Sequence, residues 1–296
     1  MRKLKSETTF QIVINIILIF LTLCSLLPFV LLIMSSVTQE SALIADGYQF
    51  WPRVFSLDAY RYIIARAGTI FKAYGITMLV TLVGTTISLI ITPLLAYPLS
   101  RQDFKLHNVM SFLVFFTMLF NGGLVPTYMM WTQIFHIKNT LPALIIPALL
   151  LNAFNVMLMK NYFKMNIPYS LIEAAKIDGA GEFFIFYRVV MPLSKPIMAT
   201  VGLFVGINYW NDWMNGLYYV TDANLFSLQN FLNRMMQNIN YLATAEGAEV
   251  AQGSMIMPSS SMRMALAVIG VLPIMLLYPF FQKYFVKGMT VGSVKG

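Results

Sequence analysis

The sequence predicts an all-α integral membrane protein with six transmembrane helices and both termini in the cytoplasm. Three observations predict it. The 296 residues are 58% hydrophobic and only 11% charged, with a mean hydropathy of +0.70. Soluble domains carry roughly 25% charged residues, so these charges cannot cover a water-facing surface and lipid is the natural solvent. Six apolar runs approach the roughly 20 residues that a spanning helix needs. The basic residues sort unevenly across those runs, which orients them.

The runs are Phe10–Met34, Ala73–Leu99, Val109–Trp131, Leu141–Met159, Ile197–Val220 and Met264–Phe285. The first follows Arg2, Lys3 and Lys5, as a signal peptide would. Its apolar stretch is longer than a signal core of about 7–15 residues and no Ala-x-Ala site follows, so it reads as a retained helix. With the N-terminus inside, thirteen of the 20 basic residues lie on the cytoplasmic side, among them Arg101, Lys105, Lys160, Lys164 and Lys176. The other seven, including Arg53, Arg61, Lys138 and Arg263, lie mostly in two long outer loops, which weigh less in orientation. A net charge of +8 therefore points to a membrane surface and not to nucleic acid, because the basic residues flank apolar runs and do not cluster with aromatics.

The outer loops, Ser35–Lys72 and Thr221–Arg263, exceed what a helix connection requires. Leu57–Arg66 is patterned as a short amphipathic helix, and the second loop carries Asp222, Glu246 and Glu249. Cys24 lies inside an apolar run, and a lone cysteine excludes an internal disulfide. His107 and His136 stand at segment ends without metal-ligand neighbours, and no metal site is expected.

Between the fourth and fifth runs lies a stretch too polar to span. Ser170-Leu171-Ile172-Glu173 has capping-box spacing, with Pro168 just ahead. A short helix through Leu171, Ala174 and Ala175 is expected to end at Asp178-Gly179, where glycine accepts the left-handed conformation. A second helix over Gly181–Val190 places Phe183, Phe186, Tyr187 and Val190 at helical spacing, and Pro192 and Pro196 close the unit. The expected product is a helix–turn–helix knob: Ala174 and Ala175 allow close approach, Leu171 and Ile172 supply apolar area, and Glu173 caps its own helix or meets a basic partner.

The combination Glu173-Ala174-Ala175, Asp178-Gly179 and Val189-Val190-Met191-Pro192 resembles the EAA loop of ABC-importer permeases. There Glu-Ala-Ala is followed after three residues by Gly and later by Ile-x-Leu-Pro; Val189 and Met191 replace Ile and Leu conservatively. From about residue 71 to 296 the chain is similar to maltose-permease-like subunits of the carbohydrate branch, and within it to LplC-like oligosaccharide and polysaccharide permeases. Asp178-Gly179-Ala180 and the closing Lys287–Gly296 tail carry that part of the likeness.

The resemblance implies a type I ABC-importer permease fold in a bacterial plasma membrane. Residues 1–70 would form an N-terminal helix and outer loop, 71–286 the transmembrane domain with its cytoplasmic coupling loop at 165–197, and 287–296 a cytoplasmic tail. It implies half of a translocation pathway for a carbohydrate, most naturally an oligosaccharide. The partners would be a second homologous permease, two ATPase subunits at the cytoplasmic face and an extracellular solute-binding protein. Glu173, Ala174, Ala175, Asp178, Gly179 and Pro192 would form the ATPase-coupling surface. No Gly-x4-Gly-Lys-Ser/Thr phosphate loop occurs, so this chain is no enzyme and carries no cofactor, with ATP and Mg bound by the partner ATPase. A non-sugar solute is the alternative. An ion-coupled secondary transporter is a weaker one, since Asp212 is the only well-placed acid and no inverted repeat is visible.

Asn208, Asn211, Asp212 and Asn215 fall on one face of the fifth run at 100° per residue, opposite Trp210, Trp213 and Leu217. Polar side chains in a span are costly unless they face a partner or a wet cavity, and amides suit hydroxyl-rich solutes. The stripe either lines the substrate path or sits at the outer interface beneath an aromatic belt. Asn152 and Asn155 share a face of the fourth run and read first as interhelical hydrogen-bond partners, with Pro142 and Pro147 bending that helix.

Overall fold

A computed structural model describes residues 2–65, 67–242 and 260–290, and within them the fold is helical, with one isolated bridge between Thr38 and Phe55. The elements are α1 (Arg2–Ser36), α2 (Glu40–Asp46), α3 (Asp58–Ala65), α4 (Ala67–Ser100) and α5 (His107–Leu119). They continue with α6 (Leu124–Ile134), α7 (Pro142–Ile145), α8 (Ala153–Asn166) and α9 (Tyr169–Ile177). Then come α10 (Glu182–Leu193) and α11 (Lys195–Asn211), followed by α12 (Met214–Tyr219), α13 (Leu228–Leu242) and α14 (Ser260–Thr290). Glu246, Glu249 and the closing 291–296 lie outside the described residues. Two compact units are present: 1–68 with 234–273, and 69–233 with 274–296.

In the first unit every residue from Phe10 to Val30 is exposed along α1, an all-round apolar surface that requires lipid or another chain as its solvent. The expected amphipathic helix is present as α3, burying Ala59 and Ile63. The Glu40 carboxylate accepts from the Ser260 and Ser261 amides, each at 2.8 Å, and from the Ser261 hydroxyl at 2.7 Å. A carboxylate at a helix start satisfies orphan amides and complements the helix dipole.

In the second unit α4 carries a buried stripe at Ile70, Ala73, Thr77, Val80, Gly84, Ser88, Thr92, Ala96 and Leu99. The three-and-four spacing places these on one face. That face meets α11, where Val201, Val205 and Tyr209 are buried in the same core. Glycines on each helix receive side chains of the other. A Cβ on Gly202 would lie 3.2 Å from Leu89, and one on Gly206 would lie 3.6 Å from the Thr85 hydroxyl. Gly84 accommodates the Tyr209 ring itself.

Helices Phe10–Ser36 and Ala67–Ser100 are each long and apolar enough to cross a membrane. Two further pairs reach that test only together: α5 with α6, bent by 112°, and α10 with α11, bent by 81°. Three of the expected continuous runs are thus interrupted. Val109–Trp131 breaks at Asn121-Gly122-Gly123, where Gly123 has φ 85° and its amide donates to Asn121 Oδ1 at 2.9 Å. Leu141–Met159 is α7, an irregular stretch with Ala148 at φ 62°, and α8; Pro147 has no N–H with which to continue the helix. Ile197–Val220 breaks at Asp212, whose backbone is extended.

Side chains repair these interruptions. Tyr209 Oη donates to the Ile145 carbonyl at 2.8 Å and Asn215 Nδ2 to the Pro147 carbonyl at 3.0 Å, both buried. Asn139, with φ 58°, joins the end of α6 to the end of α12: its Oδ1 accepts from Thr221 N at 2.6 Å, and its own amide donates to the Tyr219 carbonyl at 2.9 Å.

Candidate functional site: a two-helix knob and its charged anchor

The knob begins differently from its sequence expectation. Pro168 takes the N-cap position and makes no side-chain cap bond, so Tyr169 is the first helical residue. The Pro168 carbonyl accepts from Leu171 N at 3.1 Å. Ser170 therefore lies inside the first turn, the Ser170–Glu173 capping box does not form, and Glu173 stays exposed.

The C-terminus matches expectation. Gly179 has φ 80°, its amide donates to Lys176 O at 3.0 Å, and the Ala180 amide reaches back to Ala175 O at 2.9 Å. That pair of bonds is the Schellman closure, which needs a left-handed residue at its centre.

α10 is an α-helical turn followed by a wider turn over Phe186–Val190, in which the Met191 amide donates to Phe186 O. Pro192 explains the widening. Its ring would clash with the carbonyl four residues earlier, and one extra residue in the turn relieves that clash.

Each knob helix has two faces. Ile172 on α9 and Ile185 and Val190 on α10 are buried in the core, and Ala175 packs against it. Ile172 is thus a packing residue of this chain and not free apolar area. The outward side presents Leu171, Ile177 (86% exposed), Phe183 (83%) and Tyr187 (71%), with Glu173, Ala174 and Asp178 also exposed. Exposed apolar side chains rimmed by polar ones mark an interaction site. The helical spacing of Phe183, Phe186, Tyr187 and Val190 therefore divides: Phe186 and Val190 face the core, and the other two face out.

The knob is held by a group that the sequence reading used only for orientation. Arg101 follows the last turn of α4, and its side chain is 5% exposed. Its guanidinium donates to Asp103 from Nε at 2.9 Å and Nη2 at 2.5 Å, and to Glu182 from Nη1 at 3.1 Å. Nη1 also donates to the Tyr97 hydroxyl at 2.5 Å, which in turn donates to Glu182 at 2.8 Å. Lys176 Nζ lies 2.7 Å from Asp103 and 3.1 Å from Glu182. Each cation thus touches both carboxylates, and the guanidinium also lies 5.4 Å from the Tyr97 ring centroid and 5.8 Å from that of Tyr169.

The charges follow from this geometry. The Arg101 hydrogen bonds hold the Asp103 carboxyl far below the ordinary carboxylate range. Burial opposes ionisation of Glu182, yet hydrogen bonds from Tyr97 and Lys176 outweigh it and lower its pKa. Lys176 is raised by its hydrogen bonds to Asp103 and then Glu182. A buried guanidinium is tolerable only when its donors are matched in this way. The Tyr97-x3-Arg101-x-Asp103 spacing was the available signal, since residues four apart share a helix face. Beside the cluster, Leu94, Pro98, Phe104, Phe183 and Phe186 line most of a cavity of about 390 Å³.

The six polar residues singled out for the substrate path do not form one surface. Asn208 and Asn211 are exposed on the last turns of α11. Asp212 lies past the end of that helix, and its Oδ1 accepts from Met214 N at 3.1 Å and Asn215 N at 3.3 Å. Asn215 is buried on the Pro147 carbonyl. The continuous 100° face ends where the helix does. Asn152 repeats the Asp212 arrangement at the start of α8, accepting from Phe154 N at 2.9 Å and Asn155 N at 3.4 Å, while Asn155 is buried. Asn152 is therefore a helix cap and does not share a helix face with Asn155. Trp210 is buried and Trp213 exposed, so the opposing aromatic face is divided as well.

This placement gives a discriminating prediction. Asp212→Ala is expected to lower stability by about 1 kcal/mol through loss of the cap, whereas Asp212→Asn keeps an acceptor and stays near wild type. Thermal unfolding of both variants checks it; equal losses would show that the charge matters and not the cap.

Long apolar helices, two of the apolar pairs sharply bent, together with an exposed two-helix knob, are the features of a membrane-embedded transport subunit. The chain belongs to the family described as binding-protein-dependent transport system inner membrane component, whose profile matches residues 9–291. It is 37% identical over 293 residues to the polygalacturonan/rhamnogalacturonan transport system permease protein YtcP of Bacillus subtilis (strain 168), covering 99% of this chain and 100% of that one. It is 38% identical over 272 residues to Protein LplC of the same organism, covering 92% and 90% respectively. Among solved structures it resembles a chain of a bacterial ABC transporter involved in the import of the acidic polysaccharide alginate. That match has a TM-score of 0.77 and 29% identity, covering 95% of this chain and 98% of the other. The fold is that of a type I ABC permease, and the protein is an inner membrane component of an ABC transport system.

Proposed function

We propose that this chain forms half of the translocation pathway of an importer for a carbohydrate, an oligosaccharide in particular. Six spans with both termini cytoplasmic, the domain limits 1–70, 71–286 and 287–296, and a cytoplasmic position for 165–197 belong to this reading. A second homologous permease completes the pathway. Two ATPase subunits bind ATP and Mg and dock at the cytoplasmic face, and an external solute-binding protein delivers the sugar.

The observation that carries the docking role is the knob itself: Leu171, Ile177, Phe183 and Tyr187 point outward on a unit held to α4 by four alternating charges. Glu173, Ala174, Ala175, Asp178, Gly179 and Pro192 shape that surface. Some contribute through the turn and the helix-widening proline, and others through exposure. The carbohydrate assignment rests on the similarity to a polygalacturonan/rhamnogalacturonan permease and to an alginate importer. Asn208 and Asn211 are the path-lining residues this reading retains, since Asp212, Asn215 and Asn152 hold backbone groups.

The complete assembly in lipid vesicles, supplied with its binding protein, tests both parts. Oligosaccharide-loaded binding protein is expected to stimulate ATP hydrolysis and solute uptake. Stimulation by a non-sugar solute alone would remove the carbohydrate assignment, and a permease pair that retains no ATPase would remove the docking role.

A further inference from the structure

The core residues Ile172, Ile185 and Val190 already attach the knob to the rest of its unit. Apolar burial is non-directional, so it resists pulling apart better than it resists sliding. The charged cluster supplies what apolar packing lacks. Arg101 and Asp103 stand at the end of α4, Lys176 lies on α9 and Glu182 opens α10. Lys176 and Glu182 flank the Gly179 turn, so the cluster holds the knob on both sides of its bend. The guanidinium is a planar fork with fixed donor directions and a permanent charge. It contacts both carboxylates and the Tyr97 hydroxyl at once, so displacing α9 and α10 past α4 breaks several charge-assisted bonds together.

We propose that Arg101 is the positioning residue that makes the knob and α4 move as one body, so that displacement at the docking surface reaches the spanning helix. This rests on the docking role proposed above. Arg101 itself is buried and belongs to the anchor, not to the docking face.

The test uses the complete assembly in vesicles with its ATPases and sugar-loaded binding protein. Three quantities are read for Arg101→Gln and Arg101→Lys: ATPase subunits retained, basal hydrolysis, and stimulated hydrolysis. Arg101→Gln is expected to retain the ATPases and basal hydrolysis while losing stimulation about tenfold, within the usual range of coupling between sites. Arg101→Lys is expected to recover part of that loss, since it keeps the charge and gives up the fork. Unchanged stimulation in Arg101→Gln overturns the proposal. Release of the ATPases from that variant also overturns it, because Arg101 would then be shaping the docking face. Should Arg101→Gln fail to assemble, Glu182→Gln decides, since Glu182 is half-exposed and Asp103 still pairs the guanidinium in that variant: the same selective loss supports the proposal, and full stimulation overturns it. A wild-type assembly that holds no ATPase removes the docking role first, and this proposal with it.

Discussion

Gly84→Val is expected to destabilise the folded protein by about 2–6 kcal/mol. A Cβ at this position would lie 2.6 and 2.7 Å from the Cε atoms of Tyr209 and closer still to Cζ. The helix backbone cannot yield, so the buried Tyr209 ring must shift. Overpacking of this kind costs about 1–3 kcal/mol. Moving the ring also withdraws its hydroxyl from the Ile145 carbonyl, leaving a buried acceptor unmatched at a further 1–3 kcal/mol or so. Together these come to about 2–6 kcal/mol, a large fraction of a total stability of roughly 5–15 kcal/mol. Thermal unfolding and monodispersity of the detergent-solubilised protein measure it. A valine variant with wild-type stability would mean that α4 and α11 are not in contact at Gly84.

Gly179→Pro is expected to leave the protein in the membrane and abolish stimulated ATP hydrolysis. Proline holds φ near −65°, and the turn requires 80°. The substitution also deletes the amide that donates to Lys176 O. The turn must rebuild, and Lys176 and Glu182 can no longer meet Asp103 and Arg101 together. Gly179→Ala keeps the amide and carries only the left-handed strain of about 1–2 kcal/mol, so it should retain part of the coupling. Equal activity in the proline variant would place the docking surface elsewhere.

Legibility in the sequence followed the range of the interactions involved. The helical class, the Gly179 turn and the amphipathic α3 were readable because composition and short-range backbone chemistry decide them. The Ser170–Glu173 box was misread because the N-cap position falls at Pro168, two residues earlier, although both residues offered the right spacing. The breaks at Gly123 and Asp212 were hidden because hydropathy counts side chains and is blind to which carbonyls find a donor elsewhere, whereas Pro142 and Pro147 signalled the bend ahead of Ala148. Asp212-x2-Asn215 and Asn152-x2-Asn155 nevertheless carried a local signal, a short polar acceptor ahead of a helical turn. Read as caps, they would have ended the supposed polar stripe. Arg101 was visible as a charge but not as a contact, since Glu182 lies 81 residues away.

The irregular stretch between α7 and α8 matters for anyone building hybrids. A buried carbonyl freed from its helix needs another donor, and here the donors come from Tyr209 and Asn215, more than sixty positions downstream. Residues 141–152 and 209–215 therefore constitute one transplantable module despite their separation. A chimaera that exchanges the first segment between permeases without the second would import a helix interruption and leave its remedy in the donor.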